Sequence, residues 1–393
     1  MMNNKIVNYF SFLIYLLSIA QVAKRTVLSE MLEYSPWSFS ELLVSYPGQF
    51  TRRGFIGEMV QIIDKDSILF DTVNLVVFIN FVIFALMSYI FIKLSKLSPI
   101  QHFIYLISIF GILNITIFNQ YFHRKEMFVL NLFLITVMFL RLNANQYLVL
   151  IITIICSILM ILIHEGIAMI TIPFIVFIFK KKLNNSRKII NIYAPIVFLT
   201  FFIVIISAGN NSASKTIWEN LSEFDKSQIV IDPNAITAIG WSLLDSFFNT
   251  TEVLIFSGSM FLWSFYFFMV ICTLMAIFKI KLNEIYFDFA KIKSFLLKEK
   301  YFLVIPILFV VGFDWGRWIF SLFHLCFFSY LTLNKKNIRT VTSWTIPILL
   351  LITVSFFTIM PECCLQMSGT TVSSNYYRIL KSIQITIQSL LIN

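Results

Sequence analysis

Charge is what this sequence has least of. Only 13% of its 393 residues are Asp, Glu, Lys or Arg, against about 25% in a soluble globular domain. That excludes a soluble enzyme, and the 59% hydrophobic content excludes a disordered chain. Cysteine is scarce as well. Cys156, Cys272 and Cys326 lie inside apolar runs, and Cys363 and Cys364 are adjacent, where a bridge would be strained. The five therefore make no disulfide framework. Histidine occurs four times, scattered, with no H-E-x-x-H and no C-x-x-C, so no metal site is expected. A Walker A and a G-x-G-x-x-G are both missing, which argues against nucleotide hydrolysis.

What is present is apolar length. Eleven runs are long enough to cross a bilayer core of about 30 Å or most of it: 6–23, 72–92, 100–118, 127–140, 147–163, 167–179, 189–208, 253–278, 301–313, 319–333 and 341–360. The expectation is one all-α, polytopic membrane domain over 1–393. The first run ends in Lys24-Arg25 and reads as an uncleaved helix rather than a signal peptide. Two stretches of 33 residues, 147–179 and 301–333, are interrupted only by His164-Glu165-Gly166 and by Asp314-Trp315-Gly316-Arg317. A straight helix of that length would reach about 50 Å. Each stretch is expected to form two short helices joined at its polar motif.

The basic residues set an orientation. With the amino terminus inside, 18 of the 30 Lys and Arg and 3 of the 20 acidic residues fall in cytoplasmic segments, a surplus of +15. The other face holds 12 basic and 17 acidic residues, a balance of −5. The formal net charge of +10 is thus a positive-inside pattern, not a nucleic-acid patch. Outer loops are expected at 24–71 and 209–252, an amphipathic cytoplasmic loop on anionic lipid at 279–300, and an outer carboxyl tail at 361–393.

On this topology the ionisable motifs gather on the outer face. Arg52-Arg53-Gly54 precedes a short apolar segment, 55–63, read as a helix in the headgroup layer. Arginines there suit a phosphate group or hold lipid headgroups. In His123-Arg124-Lys125-Glu126, His123 and Glu126 stand three apart and are expected to share a helix face, with Arg124 pointing elsewhere. A solvated hairpin tip is the plainer reading. His164-Glu165 is either a capped reversal or a general base whose imidazole orients the carboxylate. Asp314 and Arg317 can pair within a helix, or Asp314 can aim the guanidinium at pyrophosphate. Trp315 and Trp318 are either an aromatic belt or sugar-stacking faces. The loop 209–252 has no Arg and no His and is read as a lid, without the main catalytic groups.

With these motifs, the span count and the long outer loop, the chain resembles the O-antigen polymerase (Wzy-type) family of bacterial inner-membrane proteins. It is similar more widely to the GT-C membrane glycosyltransferases. The family's arginine followed eleven positions later by glycine is not matched at Arg52 or Arg53. The resemblance implies transfer of a glycan from undecaprenyl pyrophosphate to a lipid-linked repeat unit, in lipopolysaccharide O-antigen biosynthesis. The expected partners are that lipid-linked oligosaccharide, membrane lipid and a chain-length regulator protein. It implies base candidates Glu165, Glu126, His164 and His123, and pyrophosphate-binding candidates Arg52, Arg53, Arg124 and Arg317. Trp315, Trp318 and Asp314 would position the sugar, with no metal and no cofactor. Two alternatives stand beside it. One is a GT-C transferase using a polyprenyl-phosphate sugar, with Glu30, Glu33 or Glu41 of the first outer loop as base. The other is a flippase or transporter for lipid-linked oligosaccharides.

Overall fold

The computed structural model describes residues 4–27, 36–47, 49–63, 69–117, 121–207, 209–229, 234–240, 259–280, 289–311 and 315–334. Among them the fold is entirely helical, without a strand. Five stretches are long and apolar enough to cross a membrane: Lys5–Thr26, Leu69–Leu94, Pro99–Thr116, Gln146–Ile163 and Ser186–Ile206. This is the architecture of an α-helical membrane protein. The eleventh run, the tail 361–393, Asp314, Glu30, Glu33, Cys363 and Cys364 lie outside the described residues.

The long helices are α1 (Asn4–Val27), α4 (Leu69–Leu94), α7 (Lys125–Arg141), α8 (Gln146–Ile163), α9 (Glu165–Lys182), α10 (Ser186–Ile206), α13 (Ser259–Phe278) and α16 (Trp315–Leu333). Between them run shorter ones: α2 (Pro36–Leu42), α3 (Phe55–Ile63), α5 (Pro99–Ile107), α6 (Ile112–Ile117), α11 (Asn211–Glu219), α12 (Glu223–Ser227), α14 (Phe289–Lys298) and α15 (Val304–Val311). Helices α7 and α16 pack on each other at the centre. Around them α4 lies on α7, α9 on both α7 and α16, and α13 on α16. Helices α1 and α10 are peripheral and turn residues such as Phe10, Leu17, Phe198 and Ile206 outward. So large an apolar exterior is stable only against lipid or another apolar surface.

The third run does not form one uninterrupted helix. Ser98 caps α5 in a reciprocal box with Gln101, and α5 stops at Ile107. The chain then turns through Ser108, whose carbonyl accepts from the Gly111 N–H at 2.8 Å. A Cβ at Gly111 would lie 2.1 Å from the Tyr105 carbonyl oxygen, so the turn requires glycine. The expected break in the 147–179 stretch is present. His164, extended at φ −161 and ψ 97, closes α8 and opens α9 by itself.

The bundle has two chemically different ends. At one, Arg141 donates to the Leu331 carbonyl and, at 3.0 Å, to the Leu94 carbonyl. Lys180 and the Tyr301 hydroxyl both donate to Glu299, and Lys93 to the Asn8 side chain. The opposite end collects the starts of α7, α9 and α16 with the segment 36–63.

Candidate functional site

At that opposite end Arg317, in the first turn of α16, is 1% exposed. Its Nε donates to Glu126 Oε1, and its Nη2 to both oxygens of Glu41, at 2.9 and 3.1 Å. One guanidinium thus joins three helices, α2, α7 and α16. Arg124 Nη1 stands 3.8 Å from Glu41 Oε2. His164 Nε2 lies 3.8 Å from an oxygen of Glu41 and of Glu126, beyond hydrogen-bond reach. Burial by itself would raise the Glu41 carboxyl. The charge of Arg317 first, then of Lys125, outweighs it and holds the group well below the usual carboxylate range.

Nearer the surface, Arg53 Nε donates to both oxygens of Glu165, at 3.0 and 3.2 Å. The Arg53 side chain is 31% exposed and that of Glu165 12%. Lys125, fully buried, donates to the Arg53 carbonyl. Arg53 itself occupies the left-handed region at φ 64, uncommon for a residue with a side chain. Helix α3 follows at once, as expected of 55–63. It buries Ile56, Gly57 and Val60 and exposes Ile62 and Ile63.

Among the buried polar atoms here without a hydrogen-bond partner are both ring nitrogens of His123, both of His164, and Glu126 Oε2. Buried polar groups are seldom left so. Among the described residues six cations, Arg25, Arg52, Arg53, Arg124, Lys125 and Arg317, gather with three carboxylates, Glu41, Glu126 and Glu165. Arg25 reaches the group over the ring of Phe122, at 6.0 Å.

Several expected pairings give way to others. His123 does not pair with Glu126. Helix α7 begins at Lys125, so His123 sits in a preceding 3-10 turn where the three-residue helical spacing does not apply. Arg124 does not point away but faces Glu41. His164 and Glu165 diverge at the reversal, one toward Glu41 and Glu126 and the other to Arg53, so the imidazole does not orient its neighbour's carboxylate. Arg317 bridges the carboxylates of α2 and α7, and Asp314, its expected partner, lies outside the described residues. Trp318 is buried, with its ring edge-on to Phe309. Trp315 is only part-buried and meets the same Phe309.

Glu41 is the residue whose central place the sequence did not single out. A signal existed: it is the one charge among Trp37, Ser38, Phe39, Leu42, Leu43 and Val44, in a stretch that is almost wholly buried. The long loop docks beside it. The Ala235 N–H donates to Ser40 Oγ at 3.0 Å, Gln49 donates to Asn210 Oδ1 at 3.3 Å, and Phe224 meets Phe70 edge-on.

Set against protein-family models, curated proteins and solved structures, the chain matches none.

Proposed function

We propose that the chain is a membrane glycosyltransferase of the repeat-unit polymerase type. It would pass a glycan from a polyprenyl pyrophosphate donor to a hydroxyl of a second lipid-linked unit on the outer face of a bacterial inner membrane. The observation that carries this reading is the group of six cations and three carboxylates, with two buried imidazoles that make no hydrogen bond, at one end of an apolar bundle. A reaction that expels pyrophosphate needs positive charge beside the leaving oxygens. It also needs a base for the acceptor proton, and apolar walls for two prenyl tails. Arg52 and Arg53 are the accessible cations. Glu165 is the accessible carboxylate and takes the role of base. Arg317 and Arg124 are assigned to positioning Glu41 and Glu126 rather than to holding substrate, because they are buried against those carboxylates. The bond from the anomeric carbon to pyrophosphate breaks, the new glycosidic bond forms, and the proton goes to Glu165.

One observation favours a second reading. Glu41, in the first outer loop, stands at the centre of the group, where a GT-C transferase using a polyprenyl-phosphate sugar places its carboxylate. Deleting the gene and resolving surface polysaccharide on a gel separates the two. A ladder that collapses to a single repeat supports the polymerase, loss of a side branch supports the decorating transferase, and an unchanged pattern refutes both. Complementation with Glu165→Gln, which keeps the shape and removes the base, should lower chain extension about 10²–10⁴-fold at normal protein yield.

A further inference from the structure

The Arg53–Glu165 pair differs from the other ion pairs of the site. Glu41, Glu126, Arg124 and Arg317 are 3% exposed or less, whereas Arg53 keeps nearly a third of its side chain in contact with the surroundings. An anion arriving at this end meets Arg52 and Arg53 before any buried cation. What it finds on Arg53 is a carboxylate, with both oxygens within hydrogen-bond reach of a single Nε. A carboxylate and one face of a phosphoryl group present similar pairs of oxygens to a guanidinium. The backbone favours a fixed receptor. Lys125 holds the Arg53 carbonyl, and Gly54 begins the hydrogen bonding of α3 by accepting from the Glu58 N–H at 2.9 Å. The Arg53 backbone is therefore held in place, and its guanidinium, the more exposed half of the pair, meets an incoming anion from a fixed base.

We propose that Glu165 is a placeholder in a pyrophosphoryl-binding site formed by Arg52 and Arg53. The donor's pyrophosphate displaces the carboxylate, and only then is Glu165 released to accept the acceptor's proton. This rests on the transferase reading above and adds an order of events to it: donor first, acceptor second. It also explains how an ion-paired carboxylate and a working base are one residue. An occupied arginine suppresses the base until the leaving group that needs neutralising is in place, so an acceptor hydroxyl is not activated without a donor.

The test is binding, separate from polymer formation. The full chain is placed in phosphatidylcholine nanodiscs and titrated calorimetrically with inorganic pyrophosphate. Glu165→Gln removes the competing charge and should bind pyrophosphate about two- to fivefold more tightly than the wild type, the gain available from a part-exposed ion pair. Arg53→Lys keeps a charge without the fork and should bind more weakly. In the double variant the gain from Glu165→Gln should shrink, since the two residues act through one contact. Equal or weaker binding by Glu165→Gln, or no binding by either protein, overturns the proposal. Nanodiscs containing phosphatidylglycerol form the second arm. If that lipid abolishes pyrophosphate binding and the difference between the two proteins, the arginines hold ordinary headgroups and the proposal fails. Failure here leaves the gel pattern of the deletion strain untouched, so the transferase reading stands or falls on its own.

Discussion

Arg317 and Arg53 look alike in the sequence, each beside a glycine in an outer motif, yet their loss should be felt differently. Arg317→Ala would strand Glu41 and Glu126 without their shared cation, and breaking a buried pair in this way costs about 3–5 kcal/mol. The expected outcome is little folded protein by size exclusion in detergent, before activity is at issue. Arg53→Ala removes a part-exposed pair worth about 0.2–1 kcal/mol, so yield should stay near normal while polymer is lost. Equal yields of the two variants would contradict the buried bridge. Glu41 adds a dependence on pH. Its folded-state pKa lies below the unfolded value of about 4.3. The stabilisation is therefore complete above that value and is lost as pH falls through the folded-state pKa. Melting temperature in detergent should be level down to about pH 5 and drop in stronger acid, and Glu41→Gln should flatten that drop. At this scale the sequence showed which residues carry charge at helix ends but not who meets whom. The partners of Arg317 lie 191 and 276 positions away, and local spacing reports nothing of contacts that long.

Among the elements, helix breaks were legible where polarity marked them and hidden where it did not. His164-Glu165 stands out from 33 apolar residues, and α8 and α9 meet there. The stop between α5 and α6 lies in Ser108-Ile109-Phe110-Gly111, which hydropathy reads as continuous. Its cause is the close approach of Gly111 to the preceding turn. A second such approach fixes α3. A Cβ on Gly57 would stand 2.0 Å from the Val44 carbonyl oxygen, so α3 rests directly on the chain leaving α2. Gly57→Val should force α3 away and carry Arg53 with it, costing about 1–3 kcal/mol and lowering activity beyond the loss of protein. At Gly166 a Cβ would meet only the His164 ring, at 3.4 Å, and Gly166→Ala should melt within a degree or two of the parent. If both glycine variants behaved alike in a thermal scan, the seating of α3 on the Val44 carbonyl would be in error.

For the whole molecule, the charge pattern anticipated that the motifs would share one end of the bundle, and those within the described residues do. Which membrane face that end occupies is a matter for labelling. Ser212 on α11 and Ser294 on α14 are both exposed, whereas neighbouring Ser214 is buried and unsuited to the purpose. A cysteine at 212 should react with a membrane-impermeant maleimide in intact cells, and one at 294 only after lysis. The reverse result would turn the topology over. The end of the bundle at Arg141 has a mechanical consequence. Through Arg141 the ends of α4 and α16 are bound to the last turn of α7, and Glu126 lies at the other extremity of α7, roughly 22 Å away at 1.5 Å per residue. Between those extremities Val129, Leu130, Phe133, Leu134 and Val137 are fully buried and Asn131 donates to Asn80, so α7 is clamped along its length and works as a strut that keeps Glu126 at a fixed distance from the Arg141 anchor.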